Sequence, residues 1–412
     1  MDEHSRYAVG LDVGSENVRA VVADVSRDGK ISVIGYGQAP NTGMRKGIVA
    51  NLSGPAAAID KMLGEVERMS GYEVDAATVS INGSHIVSTK TEGMIAVGAE
   101  DHEINEDDLV RVEEVAVTGR IPANRDVLDV VPLSYELDGQ DGVKDPIGMQ
   151  GSRLVMKANV VSALSPNCEN LKRATGNANV VAEHLVPSAV AAARAVLSER
   201  QMENGVAVID LGATTTSIAI YEESDLQYVG VVPAGAHNIT NDLAIMLEIP
   251  TDAAEELKQK YASGDIGAKE KPVKLKINGA EVTFDRAEID AVVEARLQEI
   301  FDRVAKEIKT AKYEKRLPEG VVIVGGGAKL KDIDLFVKRA LGCSVKIGSP
   351  IGCSGVADSI AKPEFASATG LMMLAADRGT PENTKKRSRK RAAKNKKSNG
   401  KPGILQKLFG KI

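Results

Sequence analysis

Val9-Gly-Leu-Asp-Val-Gly-Ser-Glu-Asn-Val-Arg-Ala-Val-Val22 and Val206-Ala-Val-Ile-Asp-Leu-Gly-Ala-Thr-Thr-Thr-Ser-Ile-Ala-Ile220 follow one plan, with their aspartates 198 positions apart. Each is an apolar β-rich run, an Asp-x-Gly, a short polar turn and a second β-rich run. That pattern predicts two strands joined by a tight hairpin with an acid at its mouth. The glycines let backbone N–H groups approach a phosphate, and Ser15, Thr214 and Thr215 can add hydroxyl donors. Asp12 and Asp210 suit Mg²⁺, a hard cation that takes oxygen ligands and keeps part of its water shell. A single copy would read as an ordinary β-turn with an exposed acid. Two copies at domain-scale separation point instead to a duplicated domain, with a nucleotide triphosphate held between the halves.

A third element agrees. Gly320-Val-Val-Ile-Val-Gly-Gly-Gly-Ala-Lys329 is a buried-strand run opening into glycines, and Leu330–Leu341 has helical spacing of apolar residues. Strand, glycines and helix N-terminus in that order form a cradle for anions and nucleosides. The chain has no G-x-x-x-x-G-K-[ST], and no G-x-G-x-x-G follows a strand, which excludes a P-loop and argues against a dinucleotide site.

With 412 residues the chain can bury more than one core. Trp is absent and aromatics make up 3%, so packing rests on Val, Ile, Leu and Ala. The three cysteines, Cys168, Cys343 and Cys353, form no C-x-x-C and suit a reducing compartment. The five histidines are scattered, with none at metal-ligand spacing. The start, Met-Asp-Glu-His-Ser-Arg, is polar and predicts no signal peptide, and no apolar run approaches the ~18 residues of a spanning helix.

The net charge of −5 hides an asymmetry: residues 383–412 hold twelve Lys/Arg and no Asp/Glu, leaving −17 on the rest. The acidic body is not expected to bind nucleic acid, whereas the basic tail seeks a negative surface. Residues 380–402 are Lys/Arg/Asn/Ser-rich and predicted to be disordered. In Gly403-Ile-Leu-Gln-Lys-Leu-Phe-Gly-Lys-Ile412, the residues Ile404, Leu405, Leu408, Phe409 and Ile412 share one helical face, with Lys407 and Lys411 opposite. Such a helix is too short to span a bilayer and fits one lying among lipid headgroups. Each apolar side chain offers roughly 1.5–3 kcal/mol on burial and each basic residue about 1 kcal/mol near anionic lipid, against ~1–2 kcal/mol per residue ordered. The balance is a modest, reversible anchor that gains strength when several tails act together. The plain alternative is a peptide that docks on its own body or on a protein.

Along the body, strands are expected at Tyr7–Asp24 (a hairpin), Ile31–Ala39 and Ala77–Asn82, with a helix at Gly54–Ser70. Residues 84–162 read as an inserted α/β module with strands at His85–Lys90, Gly93–Val97, Val127–Leu137 and Arg153–Val161. Its helix, Asn105–Val117, opens on an Asn cap. It carries no catalytic-looking residues and is better suited to a partner than to chemistry, a purely structural elaboration being the alternative. Residues 180–198 run from a strand into a small-residue helix suited to a hinge. Thr251–Tyr261 is expected as a capped helix with Glu255 and Lys258 on one face, able to grip a ribose or simply to form a surface ion pair. Asp285–Arg316 is expected as a long amphipathic helix, and Pro363–Ala376 as a closing small-residue helix.

These motifs, in this order over essentially the whole chain, resemble the bacterial FtsA cell-division family, membrane-tethered relatives of actin. The resemblance implies an α/β, actin/Hsp70-type ATPase fold of duplicated ribonuclease H-like domains. It also implies an inserted small subdomain (1C, or SHS2) and a disordered basic tail ending in an amphipathic helix. The implied division is 1A at 1–83, 163–199 and 356–379; 1C at 84–162; 2A at 200–235 and 321–355; 2B at 236–320; a linker at 380–402; and a membrane-targeting helix at 403–412. ATP and Mg are the implied ligands. The phosphate-1 loop falls on Asp12, Gly14, Ser15, Glu16 and Asn17, and the phosphate-2 loop on Asp210, Gly212, Ala213, Thr214 and Thr215. Gly235 joins them, Gly325, Gly326, Gly327 and Ala328 form the adenosine motif, and Glu255 and Lys258 match the ribose pair.

The resemblance further implies binding of the C-terminal peptide of the tubulin-like protein FtsZ, with Ala295-Arg-Leu-Gln-Glu-Ile300 marking Arg296 and Glu299. It implies self-assembly into filaments, other division partners at 84–162, and anionic lipid at the cytoplasmic face of the membrane. Ala213 departs from the Gly common in phosphate-2 loops, and Val324 replaces a Thr before the adenosine glycines. Val186 stands before Pro187 where related filament ATPases place an acid, so ATP binding with weak or absent hydrolysis is expected. The alternatives are a PilM-like pilus-assembly relative, which should lack the tail of 383–412, and a sugar kinase-type phosphotransferase, which would need a carboxylate base.

Overall fold

The computed structural model describes residues 6–97, 103–265 and 272–378. The linker 380–402 and the apolar set Ile404, Leu405, Leu408, Phe409 and Ile412 lie outside the described residues.

The chain begins with β1 (Arg6–Val13), β2 (Asn17–Val25) and β3 (Ile31–Pro40), then the two-residue strands β4 (Met44–Arg45) and β5 (Ile48–Val49), α1 (Ser53–Ser70) and β6 (Ala76–Ile81). An inserted layer follows: β7 (Val87–Ala96), α2 (Glu106–Val117), β8 (Arg125–Leu137), β9 (Gln140–Val143) and β10 (Arg153–Leu164). The chain then returns through α3 (Ser165–Gly176), β11 (Val181–Pro187), α4 (Ser188–Val196) and α5 (Glu199–Asn204). The second half is built from β12 (Val206–Leu211), β13 (Thr216–Glu222), β14 (Asp225–Val232), α6 (Ala236–Met246), α7 (Thr251–Tyr261), β15 (Val273–Ile277), β16 (Ala280–Phe284) and α8 (Arg286–Thr310). It continues through β17 (Val321–Val324), a 3-10 turn at Gly326–Lys329, α9 (Ile333–Leu341) and β18 (Val345–Ile347). Last come β19 (Ser354–Gly355), α10 (Ala357–Ile360) and α11 (Ala366–Arg378).

Two sheets repeat one motif. The first has the order β11-β6-β1-β2-β3-β19 and the second β14-β13-β12-β17-β18. In each, a central strand has its hairpin partner antiparallel on one side and a parallel strand on the other: β2 and β6 around β1, β13 and β17 around β12. Both central strands are buried along most of their length, as Val/Ile-rich strands covered on two faces should be. The duplication inferred from two aspartates is thus a duplication of whole sheets, and it brings Asp12 and Asp210 to equivalent ends of equivalent strands.

Helices α4 and α11 pack between the sheets, and their small residues set the spacing. The apolar cluster there joins Val21 and Ala23 to Ala192, Ala193, Val206, Val208, Ala368 and Met372. A Cβ on Gly10 would lie 2.1 Å from the Ala368 carbonyl oxygen, and one on Gly370 would lie 1.7 Å from that of Ala191. The hinge expected at 180–198 is therefore a helix pair in backbone contact.

Several expectations need correction. The strands expected at His85–Lys90 and Gly93–Val97 merge into one, β7 (Val87–Ala96), paired continuously with β10. Gly93 does not break it: its missing side chain lets α2 approach, since a Cβ would meet the Val112 carbonyl at 2.4 Å. The helix at Asn105 does carry a full capping box with Asp108. Helix α7 has no side-chain cap, because Pro250 rather than a hydroxyl residue occupies the N-cap. Helix α8 is capped by Asp285 and ends at Thr310, where Lys312 and Lys315 take positive φ. The glycines of 325–327 lead into the 3-10 turn and a left-handed Asp332 before α9, so no helix N-terminus opens directly on them. Among the described residues no helix is long and apolar enough to cross a membrane.

Gly370→Ala tests the spacing of the two helices. A methyl group cannot fit without moving α11 from α4, and overpacking should destabilise the protein by about 3 kcal/mol. Chemical denaturation should show a lower midpoint with an unchanged slope.

Candidate functional site

The two hairpin turns meet. Thr214 Oγ1 donates to Ser15 Oγ at 2.7 Å, joining a turn of the first half to a turn of the second. Each turn is held from behind. The Asn41 N–H donates to the Glu16 carbonyl at 2.8 Å and its Nδ2 to the Gly14 carbonyl at 2.7 Å. Gly212 N–H closes the second turn on the Thr215 carbonyl at 2.9 Å. Helix α6 then abuts that turn: Ala236 and His237 N–H groups donate to the Gly212 and Ala213 carbonyls at 2.9 and 2.7 Å. Gly235 is glycine because of this approach, as a Cβ would stand 2.5 Å from the Gly212 oxygen. With these carbonyls engaged by the scaffold, they are held away from a ligand between the turns.

Asp12 is only 7% exposed. Burial, reinforced by the charge of Asp210, pushes its carboxyl up to about 6 despite Arg19 and Ser80. Burial also pushes Asp210 above the usual carboxylate range, opposed by hydrogen bonds from Ser188 and Ser367. Two desolvated acids, one of them raised further by the other's charge, call for a cation, and oxygen-only donors suit Mg²⁺. Among the described residues no group of three or more His, Cys, Asp or Glu converges on a metal position. The pair therefore fits a cation that completes its shell with water and phosphate oxygens.

The glycine turn stands beside Asp210. Gly325 has φ +86° and donates to the Pro363 carbonyl at 2.9 Å, and a Cβ there would strike Asp210 Oδ1. Gly326 faces open space, Gly327 lies against Leu211, and Ala328 is buried. On α7, Lys258 Nζ pairs with Glu255 Oε2 at 2.6 Å, and both bond Thr240 on α6. Glu16 is exposed, and Asn17 opens β2 half-buried. Val186 is buried and apolar, so no acid stands directly before Pro187.

Arg296 and Glu299 on α8 form an ion pair, and Arg296 also holds Asp242 of α6, its Nη2 lying 2.8 Å from Oδ1. One turn beyond Asp242, Ile245 and Met246 are 73% and 67% exposed. Sequence reasoning missed Asn41, Thr240 and Asp242. Each acts through a partner far away in sequence, and no local motif marks it.

Solved structures with the same architecture include a PilM–PilN type IV pilus biogenesis complex (TM-score 0.65, 17% identity, covering 90% of this chain and 98% of that one). Another is MreB5 of Spiroplasma citri bound to ADP (TM-score 0.54, 14% identity, 93% and 98%). The protein therefore has the actin-like ATPase fold. Residues 207–370 match the family described as cell division protein FtsA, and residues 83–162 match the SHS2 domain inserted in it. The chain is 32% identical over 375 residues to the cell division protein FtsA of Pseudomonas aeruginosa, covering 90% of this chain and 89% of that protein. It belongs to the FtsA family of cell division proteins. That membership sets aside the pilus-assembly and sugar-kinase alternatives.

Asp12→Asn tests the buried charge. An acid whose carboxyl sits near 6 when folded favours the folded state fully below its unfolded value, and that advantage is lost as pH rises through 6. Above that, the ionised form costs about 3 kcal/mol at ~1.4 kcal/mol per unit. Without divalent cation, D12N should melt higher than the wild type at pH 7.5, with the gap closing towards pH 4. Added Mg²⁺ should raise the wild-type Tm and leave D12N unchanged.

Proposed function

We propose that this protein is an ATP-binding, filament-forming adaptor that ties FtsZ to the cytoplasmic membrane at the division site. The observation that carries the nucleotide reading is the hydroxyl contact between Ser15 and Thr214, with Asp12 buried and Asp210 half-buried behind it. Bound Mg²⁺ would supply positive charge to the acids and to the phosphates together. Asp12 and Asp210 would hold it through water, while Gly14, Ser15, Glu16, Asn17, Ala213, Thr214 and Thr215 would offer N–H and hydroxyl donors to the phosphates, on a turn that Gly212 closes. Gly235 brings α6 up to the second turn; Gly325, Gly326, Gly327 and Ala328 form the base-side wall. MreB5 holds ADP on the same fold, which supports this reading. With Val186 in place of an acid, hydrolysis is weak or absent, and ATP acts as a clasp between the halves.

We assign the subdomains as the family resemblance divides them: 1A (1–83, 163–199, 356–379), 1C (84–162), 2A (200–235, 321–355) and 2B (236–320). The FtsZ C-terminal peptide meets 2B at Arg296 and Glu299, where the exposed Ile245 and Met246 add apolar surface beside the charges. The inserted layer serves filament contacts and other division proteins. Residues 383–412, with twelve basic side chains, lead to the membrane-binding face of Ile404, Leu405, Leu408, Phe409 and Ile412.

Co-sedimentation with anionic liposomes tests the adaptor role. With Mg·ATP, the full chain should pellet and carry a labelled FtsZ tail peptide with it; a chain ending at Thr380 should stay in the supernatant. R296A should pellet normally but retain the peptide at least ~10-fold less tightly, the loss of a charged anchor at an interface. Equal pelleting of the full and shortened chains would refute the tether.

A further inference from the structure

The inserted sheet turns its two faces to different partners. Along β10, Leu154, Met156 and Ala158 join an apolar cluster confined to the layer, which includes Val112 of α2. Asn159 and Val161 face the other way, and Val161 shares a cluster with Leu226, Val229 and Val231 of β14. Apolar contact of this kind holds two surfaces together without fixing their register, because the hydrophobic effect is non-directional. A buried hydrogen bond supplies the register. Asn159 is 0% exposed; its Nδ2 donates to the Leu226 carbonyl at 2.9 Å, and its Oδ1 accepts from Ser88 Oγ at 2.6 Å. A carbonyl only accepts, so the Leu226 oxygen settles which end of the amide faces it.

The bond lands on an irregularity. Strand β14 is the edge of the second sheet, and its pairing with β13 slips where Ile220 stands opposite Tyr228 but Tyr221 stands opposite Leu226. Gln227 is the extra residue of a β-bulge, a feature that re-aims an edge strand. Asn159 takes the carbonyl just before the bulge. Lys90, its partner across the strands, donates from Nζ to Gln227 Oε1 at 2.9 Å. Nearer the hairpin tip the contact is hollow: Lys144 reaches Glu223 and Asp225 beside a cavity of about 470 Å³ lined by Ser134, Gly142, Lys144, Glu203 and Glu223. The layer therefore grips the hairpin at the bulge rather than at the tip.

The hairpin carries that grip to the seam. Strand β13 begins at Thr216, beside the turn of 212–215, and β14 ends at Val232, shortly before Gly235 and the helix that holds the same turn. We infer that Asn159 is a register pin joining the inserted layer and the β13–β14 hairpin into one cooperative unit, through which a disturbance of the layer's outer face reaches the second hairpin turn.

Hydrogen exchange of the full chain, read by mass spectrometry, tests this. No nucleotide enters the experiment, so its outcome is separate from the nucleotide reading. Val112→Ala loosens the layer on the face away from β14. In the otherwise wild-type chain it should speed exchange of β10 roughly 10-fold and that of β13 and β14 by a similar factor, with α9 unchanged. Asn159→Leu keeps the side-chain size but not the donor. In that background Val112→Ala should speed β10 as before and leave β13 and β14 within about twofold, the signature of a broken coupling. Asn159→Ala carries the same expectation if Asn159→Leu does not fold. Acceleration confined to the layer in the otherwise wild-type chain would overturn the coupling. Equal acceleration of α9 would also overturn it, as a mark of global unfolding, and transmission that survives the loss of Asn159 would overturn the pin.

Discussion

Two carboxylates at the seam between duplicated halves, Asp12 buried and Asp210 half-buried, constrain everything else in this molecule. Asp12 and Asp210 each lie near the end of a central strand behind a glycine turn; burial raises both carboxyls, and the charge of Asp210 raises that of Asp12 further. Such a pair persists only where the scaffold over-determines it. The backbone contacts of α11 with β1 and α4 supply that scaffold, as does the glycine turn closing on Asp210. The same proximity that makes the acids unfavourable neighbours when bare makes them a strong site for a divalent cation. Stability and ligand affinity are thus opposite readings of one electrostatic arrangement.

Helix α6 links the seam to the outer surface. Its first N–H groups hold the second hairpin turn, Thr240 in its middle organises Glu255 and Lys258, and Asp242 near its end grips Arg296 on α8. In eleven residues the helix touches the second hairpin turn, the Glu255–Lys258 pair and Arg296. A rigid helix cannot shift at one end alone, so a displacement of the turn would reach the Arg296 network without any intermediate loop. Its sequence shows little of this. Thr240 lies between Ile239 and Leu243 in a stretch that reads simply as core.

What could be read beforehand divides along physical lines. The duplicated fold was legible because strand–turn–strand with a required glycine is a local code: Gly14 and Gly212 announce close approach from sequence alone. The insertion was legible for its period-2 runs and for Asn105, whose cap is a contact within one turn. The errors arose where a tertiary contact reassigns a local signal. Gly93 reads as a strand break until α2 packs over it, and the run after Gly327 reads as a helix start until Asp332 takes a left-handed conformation. Lys258 reads equally well as half of a surface ion pair until its burial beside Ala236 and Thr240 is seen. That burial depends on residues 18 and 22 positions away, which no spacing rule reports.

The inserted layer shows the same dependence at larger scale. It is threaded through the first half, yet it also grips the hairpin β13–β14 of the second. Asn159 Nδ2 donates to the Leu226 carbonyl at 2.9 Å, Lys90 Nζ to Gln227 Oε1 at 2.9 Å, and Lys144 pairs with Glu223 and Asp225. The exposed ion pairs are worth little by themselves. The buried amide bond is not, since breaking it strands a carbonyl and an amide away from water. Glu223 and Ser224 at the hairpin tip both adopt positive φ, a conformation neither prefers, and contacts from α5 and Lys144 hold them there. Strand β13 runs from that tip to the turn at 212–215. Motion between the halves must therefore either carry the inserted layer along or give up the Asn159 contact, so the layer that faces outward is fastened to the strand that faces the seam.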